Sequence, residues 1–293
     1  MSEEQKAPVD PHTGKTTTGH EWDGIAELNT PLPRWWVWTF YATILWAVGY
    51  WIVYPAWPLV FGATEGVFGW HSRSAVEQDI AGLQTLRGPM TAKLASASLA
   101  EIEKTPELLS FARAEGSAVF ATNCAPCHGA GAQGSKGYPN LNGDRWLWGG
   151  TLEQIQQTIT HGARWDTDPE THMSLMPAFG RDGLLKREEV LATADFVRSL
   201  SGLPVEPGAD LAKGKEVFAA NCAICHGPEG KGNQELGAPN LTGQIWLYGS
   251  DRSAIIERIT NGGGGVMPAW GAKLDATTIK ALSVYIHTLG GGQ

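Results

Sequence analysis

The chain has no cysteine to spare. All four of its cysteines sit in two short clusters, so no wider disulfide framework is open to the fold. Charge is scarce as well: 18% of the residues are Asp, Glu, Lys or Arg, and 30 acidic side chains outnumber 22 basic ones for a formal net charge of −8. There is no run of Lys or Arg, which excludes a general nucleic-acid-binding role, because neutralising phosphates takes a basic face. An acidic surface suits basic partners instead. With 37 Gly and 13 Trp among 293 residues, the composition is neither that of a disordered chain nor that of a coiled coil. The length leaves room for about two domains of ordinary size.

What is present is unevenly spread. Residues 1–34 mix three basic and six acidic side chains with Pro, Gly, Thr and His, which reads as a mobile polar arm. From Trp35 to Tyr54 twenty residues follow without a charge, and the uncharged stretch runs on to Thr64. At about 1.5 Å per residue, twenty helical residues cross a hydrocarbon layer of roughly 30 Å. Trp35, Trp36 and Trp38 stand at one end of this run and Trp51, Tyr54 and Trp57 at the other, where aromatic rings prefer the membrane–water boundary. The run is too long and begins too late for a cleaved signal peptide, so an uncleaved anchor is expected. Lys15 and Arg34 before it, against Arg73 after it, give a slight bias that places the N-terminus in the cytoplasm.

The cysteine clusters are two copies of one pattern, Cys124-Ala-Pro-Cys127-His128 and Cys222-Ala-Ile-Cys225-His226. C-x-x-C-H is the attachment signature of a c-type haem: two thiols bond one macrocycle and the adjacent His supplies a nitrogen to the iron. A zinc site would bring two C-x-x-C pairs about 15–20 residues apart, whereas these are 98 apart. A thioredoxin-type pair would need a strand–helix context that is not apparent. Two covalently bound haems c are therefore expected.

A repeat supports this. Val119-Phe120-Ala121 precedes the first motif as Val217-Phe218-Ala219 precedes the second, and Pro139–Thr160 aligns with Pro239–Thr260 at ten identities in 22 positions. The first copy then carries nine extra residues around Arg164 to Leu175 before the pattern resumes as Met176-Pro-Ala-Phe-Gly and Met267-Pro-Ala-Trp-Gly. Of five methionines these two align across the repeat, so Met176 and Met267 are the expected second axial ligands, as a thioether suits iron. Met173, His161 and His172 are rivals in the first copy. Thioether ligation raises the reduction potential and closes the iron to substrate, which points to electron transfer without bond chemistry.

The expected fold is all-α: one N-terminal transmembrane helix, then two tandem cytochrome c domains of class I type. The segments are a polar arm over 1–34, an anchor over 35–61, a helical connector over 62–110, and haem domains over 111–201 and 209–293. Each haem domain opens with a helix leading to its cysteines (115–123 and 213–221). Each has a middle helix begun by Thr151 or Asp251, and each closes with an amphipathic helix (186–200 and 276–289) packed on its own opening helix. Ser201 to Gly208, rich in Pro and Gly, is the expected inter-domain linker. Trp146, Trp246 and Arg145 are candidates to meet haem propionates, and Gly262 to Gly265 form a loop that allows close backbone approach to the haem.

The chain as a whole resembles the membrane-anchored dihaem subunit of cbb3-type cytochrome c oxidases, the kind also called FixP. The most specific part is the block from Thr18-Gly-His20-Glu-Trp22-Asp23-Gly24 through Pro31-Leu-Pro33-Arg34-Trp35-Trp36 into the apolar run, followed by Tyr54-Pro-Ala-Trp57-Pro. The resemblance implies a single-pass protein of the bacterial inner membrane with periplasmic haem domains. It implies a cytochrome c as donor, with a monohaem cytochrome subunit and a catalytic haem–copper subunit, which reduces oxygen and pumps protons, as partners. On that reading the chain itself has no catalytic centre. A free-standing anchored dihaem shuttle and a dihaem peroxidase are the alternatives.

Overall fold

A computed structural model describes residues 8–291. The first seven residues of the expected arm and the last two of the second haem domain lie outside the described residues. The described chain is mostly helical and divides into two units, one ending at Thr85 and the other beginning at Leu86.

In the first unit the arm is not featureless. Strands β1 (Thr17–Trp22) and β2 (Ile25–Leu28) pair antiparallel. Their turn is Asp23-Gly24, with φ of 51° and 82°, the left-handed pair that matches the natural twist of two-residue hairpins. Helix α1 (Arg34–Val53) follows, with no residue buried, and it is long and apolar enough to cross a membrane, at a mean hydropathy of 1.3. It stops well before residue 61. Pro55 disfavours helical geometry at the residue before it, and Tyr54 is extended at φ −114° and ψ 161°. The rest of the uncharged stretch forms a short hairpin of β3 (Pro58–Leu59) and β4 (Gly62–Ala63). It then returns to the helix end, where Val67 and Phe68 donate backbone bonds to Ile52 and Val53 at 3.0 and 3.1 Å.

Helix α2 (Ser72–Ser96) carries the chain into the second unit, which holds α3 (Leu99–Lys104), α4 (Pro106–Asn123), α5 (Ala125–His128), α6 (Leu152–His161), α7 (Arg187–Leu200), α8 (Leu211–Asn221), α9 (Ala223–His226), α10 (Arg252–Asn261) and α11 (Ala276–His287). Local chemistry sets several starts. Ser98 accepts from the Glu101 amide, Thr151 and Gln154 form a reciprocal capping box, and Asp275 accepts from the amides of Thr277 and Thr278. Helix α4 begins well before Glu115 because Pro106 is suited to a first helical position. The late connector is part of this core: Leu94, Leu99 and Ile102 are buried with Leu108, Ala112, Ala281 and Val284. Lys280 on α11 donates to the carbonyls of Ala95 and Ala97 at 2.8 and 2.7 Å, just where α2 ends.

The closing helices do not pack as expected from the sequence. Helix α11 lies against α4 and α6, and α7 lies against α8 and α10, so each closing helix sits on the opening helix of the other copy. The crossings are close because both have glycine at equivalent positions. A Cβ on Gly116 would stand 2.5 Å from the Tyr285 Cβ, and one on Gly214 would stand 2.2 Å from the Ala192 carbonyl and 2.7 Å from the Phe196 Cβ. Phe120 meets Tyr285 at 5.6 Å between ring centroids, and Phe218 meets Phe196 at 5.4 Å, both pairs at 56°. Ten residues, Ser201 to Asp210, join α7 to α8 and leave the two helices packed on each other within one lobe. Ser201 to Gly208 is thus a turn inside one lobe, with the Ser201 hydroxyl bonded to the Leu241 carbonyl at 2.7 Å. With α7 occupying α8, the groove of α4 is left to α11.

Asp195, on α7 and almost fully buried, receives Arg252 of α10 in a two-pronged pair at 2.8 and 2.7 Å. Those bonds hold its carboxyl below the usual carboxylate range. A pKa depressed by folding adds stability above the unfolded value of about 3.9, and the gain is lost as pH falls below that value toward the folded one. Asp195→Asn should therefore cost about 2 kcal/mol near neutral pH, the scale of a charge-assisted hydrogen-bond pair. Thermal unfolding followed by circular dichroism should show the gap to the parent protein closing in acid below about pH 4.

Candidate haem centres

Each cysteine motif is held the same way. In both copies the first cysteine ends the opening helix, its amide bonded to the carbonyl of Phe120 or Phe218 at 2.8 Å, and the short helix α5 or α9 carries the second cysteine and the histidine. Cys124 and Cys222 are buried, and burial pushes their thiols up to about 11. His128 Nδ1 lies 3.0 Å from the Pro139 carbonyl and His226 Nδ1 lies 3.1 Å from the Pro239 carbonyl. A carbonyl only accepts, so each Nδ1 is the donor and Nε2 keeps its lone pair, the arrangement that second-shell partners impose on ligating imidazoles. Burial lowers both histidine pKa values, with the proline carbonyl opposing it, and this favours the neutral ring.

Two apolar cavities open on these histidines. The one of about 190 Å³ is lined by Cys124, Cys127 and His128 together with Met267. The one of about 230 Å³ is lined by Cys222, Cys225 and His226 together with Met176. Contrary to the pairing of sequence order, Met176 lines the cavity of the second cysteine motif and Met267 that of the first. Of the rivals, Met173 is largely exposed, His161 bonds Asp168 at 3.1 Å, and His172 bonds the Thr158 hydroxyl at 3.1 Å while stacking on Trp148; none lines either cavity.

The crossing is built from backbone. Ala163 and Met267 exchange bonds at 3.0 and 2.9 Å, and the Gly263 amide donates to the Met176 carbonyl at 2.7 Å. The segment after each methionine also closes the end of the middle helix of the other copy. Trp270 and Gly271 donate to Ile159 and Thr160 of α6 at 3.1 and 3.0 Å, and Arg181 donates to Thr260 of α10 at 2.9 Å. These are carbonyls that a helix end would otherwise leave unpaired. Glycine is needed at two places. Gly162 and Gly262 have φ of 68° and 59°, and a Cβ there would stand 2.3 Å from the Met267 carbonyl oxygen or 2.4 Å from that of Met176. The expected close approach of the glycine run is thus, at Gly262, to the opposite ligand loop.

The nine extra residues leave this crossing intact, because the loop closes on itself. The Arg164 amide donates to the His172 carbonyl at 2.7 Å and the His172 amide donates to the Gly162 carbonyl at 3.4 Å. Trp146 gives its indole N–H to the Gly291 carbonyl. Trp246 and Thr193, which line the second cavity, have buried donors without a partner in the protein. An apolar slot with a neutral histidine, two thiols, a thioether and unpaired donors fits a covalently attached haem with a polar edge. A cleft of about 530 Å³ adjoins both sites, with Trp146, Arg145 and Trp246 on its wall, and Arg145 packs over Gly243. Among the described residues no group of three or more His, Cys, Asp or Glu is placed to hold a bare metal ion.

This arrangement defines a c-type cytochrome, an electron carrier. A family model described as cytochrome c matches residues 113–201, one described as cytochrome c oxidase, cbb3-type, subunit III matches 209–286, and one described as the N-terminal domain of cytochrome oxidase-cbb3, FixP matches 14–60. The chain is 64% identical over 291 residues to the cbb3-type cytochrome c oxidase subunit FixP of Azorhizobium caulinodans, covering 99% of this chain and 98% of that one. It is 62% identical over 281 residues to FixP of Bradyrhizobium diazoefficiens, covering 96% and 97%. It is 49% identical over 277 residues to subunit CcoP of Cereibacter sphaeroides, covering 94% and 95%. The chain belongs to the FixP/CcoP family of cbb3-type cytochrome c oxidase subunits. It is an electron-transfer subunit that binds haem c, and the oxidase it serves is membrane-bound.

Proposed function

We propose that the chain carries two haems c with exchanged axial methionines. One is attached at Cys124 and Cys127 with His128 and Met267 as ligands, the other at Cys222 and Cys225 with His226 and Met176. The observation that carries this is the composition of the two cavities, each of which joins the cysteines of one copy to the methionine of the other. A bound c-type haem supplies reversible one-electron exchange at its iron. The protein's part is to fix and shield. The cysteines tether, the proline carbonyls orient the histidines, the paired ligand loops hold the thioethers, and buried Phe120, Ile155, Phe218 and Ile255 keep water out. With a histidine and a methionine on each iron, the residues would leave no coordination site for a substrate, so the chain would act as a carrier and not as a catalyst. It passes electrons from a cytochrome c donor towards the monohaem and haem–copper subunits, where oxygen is reduced.

The haem domains lie in the periplasm and the N-terminus in the cytoplasm, with α1 as the single span of the inner membrane, consistent with the slight excess of basic residues before it. The net charge of −8 suits a donor with a basic docking face. The β1–β2 hairpin and α1, within the stretch matched by the FixP N-terminal family model, are the docking elements for the other oxidase subunits.

Replacing Met176 by His should lower the potential of the haem at Cys222 and Cys225 and leave the one at Cys124 and Cys127 nearly unchanged, as imidazole ligation lowers potential relative to thioether. Replacing Met267 should do the reverse. Spectroelectrochemistry, with each haem identified by knocking out the other cysteine pair, reads the result, and a shift at the haem of the same copy would overturn the exchange. For assembly, deletion of residues 18–34 should leave haem attachment intact but abolish co-purification with haem b and copper from mild detergent. Normal assembly of that deletion would favour the anchored shuttle.

A further inference from the structure

The nine-residue loop begins with an arginine that neither the attachment motifs nor the ligand assignments use. Arg164 has a positive φ of 57°, which is costly for a residue with a side chain and persists only where the surroundings hold it. Its side chain is half-buried. It donates from Nη1 to the Ser174 carbonyl at 2.9 Å and from Nε to the Gly265 carbonyl. Ser174 stands two residues before Met176, and Gly265 stands two residues before Met267. One guanidinium thus holds both methionine loops by their backbones, from the same side of their ligands. Arg164 also lines both cavities, and it is the charged residue they share. The Trp148 ring lies 5.7 Å from its guanidinium carbon.

The repeat explains why there is one such arginine. The position equivalent to Arg164 in the second copy is Gly264, and a Cβ built there would lie 2.7 Å from Arg164 Nε and 2.8 Å from its Cζ. The two equivalent positions face each other where the crossing segments pass. Only one of them can bear a side chain, and the other must be glycine for that side chain to lie across it. Burial lowers the Arg164 pKa, with Tyr248 opposing it. An arginine starts so far above neutrality that the charge is retained.

We propose that Arg164 is a positioning residue shared by both haem centres: it clamps the Met176 and Met267 loops together and places a single positive charge between the two cavities. This rests on the assignment of Met176 and Met267 as axial ligands. Loosening the clamp weakens both thioether bonds together, although the two ligands are far apart in sequence. Removing the charge lowers both potentials, because a nearby cation disfavours the oxidised, more positive iron.

The test uses the full haem-loaded chain in detergent and three variants: Arg164→Gln, Arg164→Lys and Gly264→Ala. The last leaves the arginine in the chain but puts a methyl group where its side chain must lie. The readouts are the far-red sulfur-to-iron absorption of the oxidised protein, binding of added imidazole, and the two potentials. Haem content and thermal midpoint separate these from general unfolding. Arg164→Gln and Gly264→Ala should each tighten imidazole binding at both haems by roughly tenfold, the scale of one lost charge-assisted hydrogen bond. Both potentials should fall in Arg164→Gln. Arg164→Lys should keep the potentials closer to the parent values yet still admit imidazole, because an ammonium cannot reproduce the guanidinium fork. An effect confined to one haem, or unchanged imidazole binding in both Arg164→Gln and Gly264→Ala with the sulfur-to-iron absorption intact, would overturn the clamp alone. Absence of that absorption from the parent protein would instead overturn the methionine assignment, and the clamp with it.

Discussion

Two backbone pairings, Ala163 with Met267 and Gly263 with Met176, are the constraint on which the rest of the haem-binding unit depends. They lie where the chain passes from one lobe to the other and back, and they run antiparallel, so each crossing segment supplies the other with its hydrogen-bond partners. At Ala163, which is buried, an unpaired amide or carbonyl would be costly. The pairing satisfies both and sets the level of each methionine against the opposite cavity. The glycines at 162 and 262 permit the approach, and the segments beyond the methionines then close the ends of α6 and α10. The closing helices follow onto Gly116 and Gly214.

This architecture has a functional consequence. In a tandem arrangement each haem domain would unfold, move and tune its iron separately. With exchanged segments, each cavity is lined by both halves of the chain, and the stability of the two lobes is shared. On the proposed two-haem reading, such coupling would keep the two centres at a fixed separation, because relative movement of independent domains would alter the distance an electron travels. The buried Asp195–Arg252 pair stiffens the lobe of the second cysteine motif, and Lys280 ties the lobe of the first to the end of α2.

Much of this was legible beforehand, for identifiable reasons. The C-x-x-C-H motifs and the Met-Pro frames stand out by residue type and spacing, and it is these residues that line the two cavities. The apolar run declares α1, and Thr151 declares the start of α6. The exchange was not legible, because the repeat makes the two pairings equivalent at the level of pattern: Tyr285 and Phe196 occupy matching positions and either fits either glycine groove. What distinguishes the two pairings is the packing of α7 on α8 and of α11 on α4, which the pattern does not encode. Two further signals stand in the sequence. Asp23-Gly24 between short runs that include Trp22 and Ile25 is a hairpin signature, and Pro106 marks the true start of α4. Arg164 opposite Gly264 carries no motif at all, and its place becomes visible only when the crossing segments are seen side by side.

The most direct test of the exchanged architecture is to cut the chain once. A specific protease site placed between Ser201 and Gly208 in the full haem-loaded protein, followed by cleavage and size-exclusion chromatography in detergent without denaturant, separates the two topologies. The exchanged arrangement predicts that the two fragments stay together, each still bearing its haem, with the sulfur-to-iron absorption unchanged, because every lobe contains segments from both fragments. Release of two fragments that each retain their own thioether-ligated haem would contradict it.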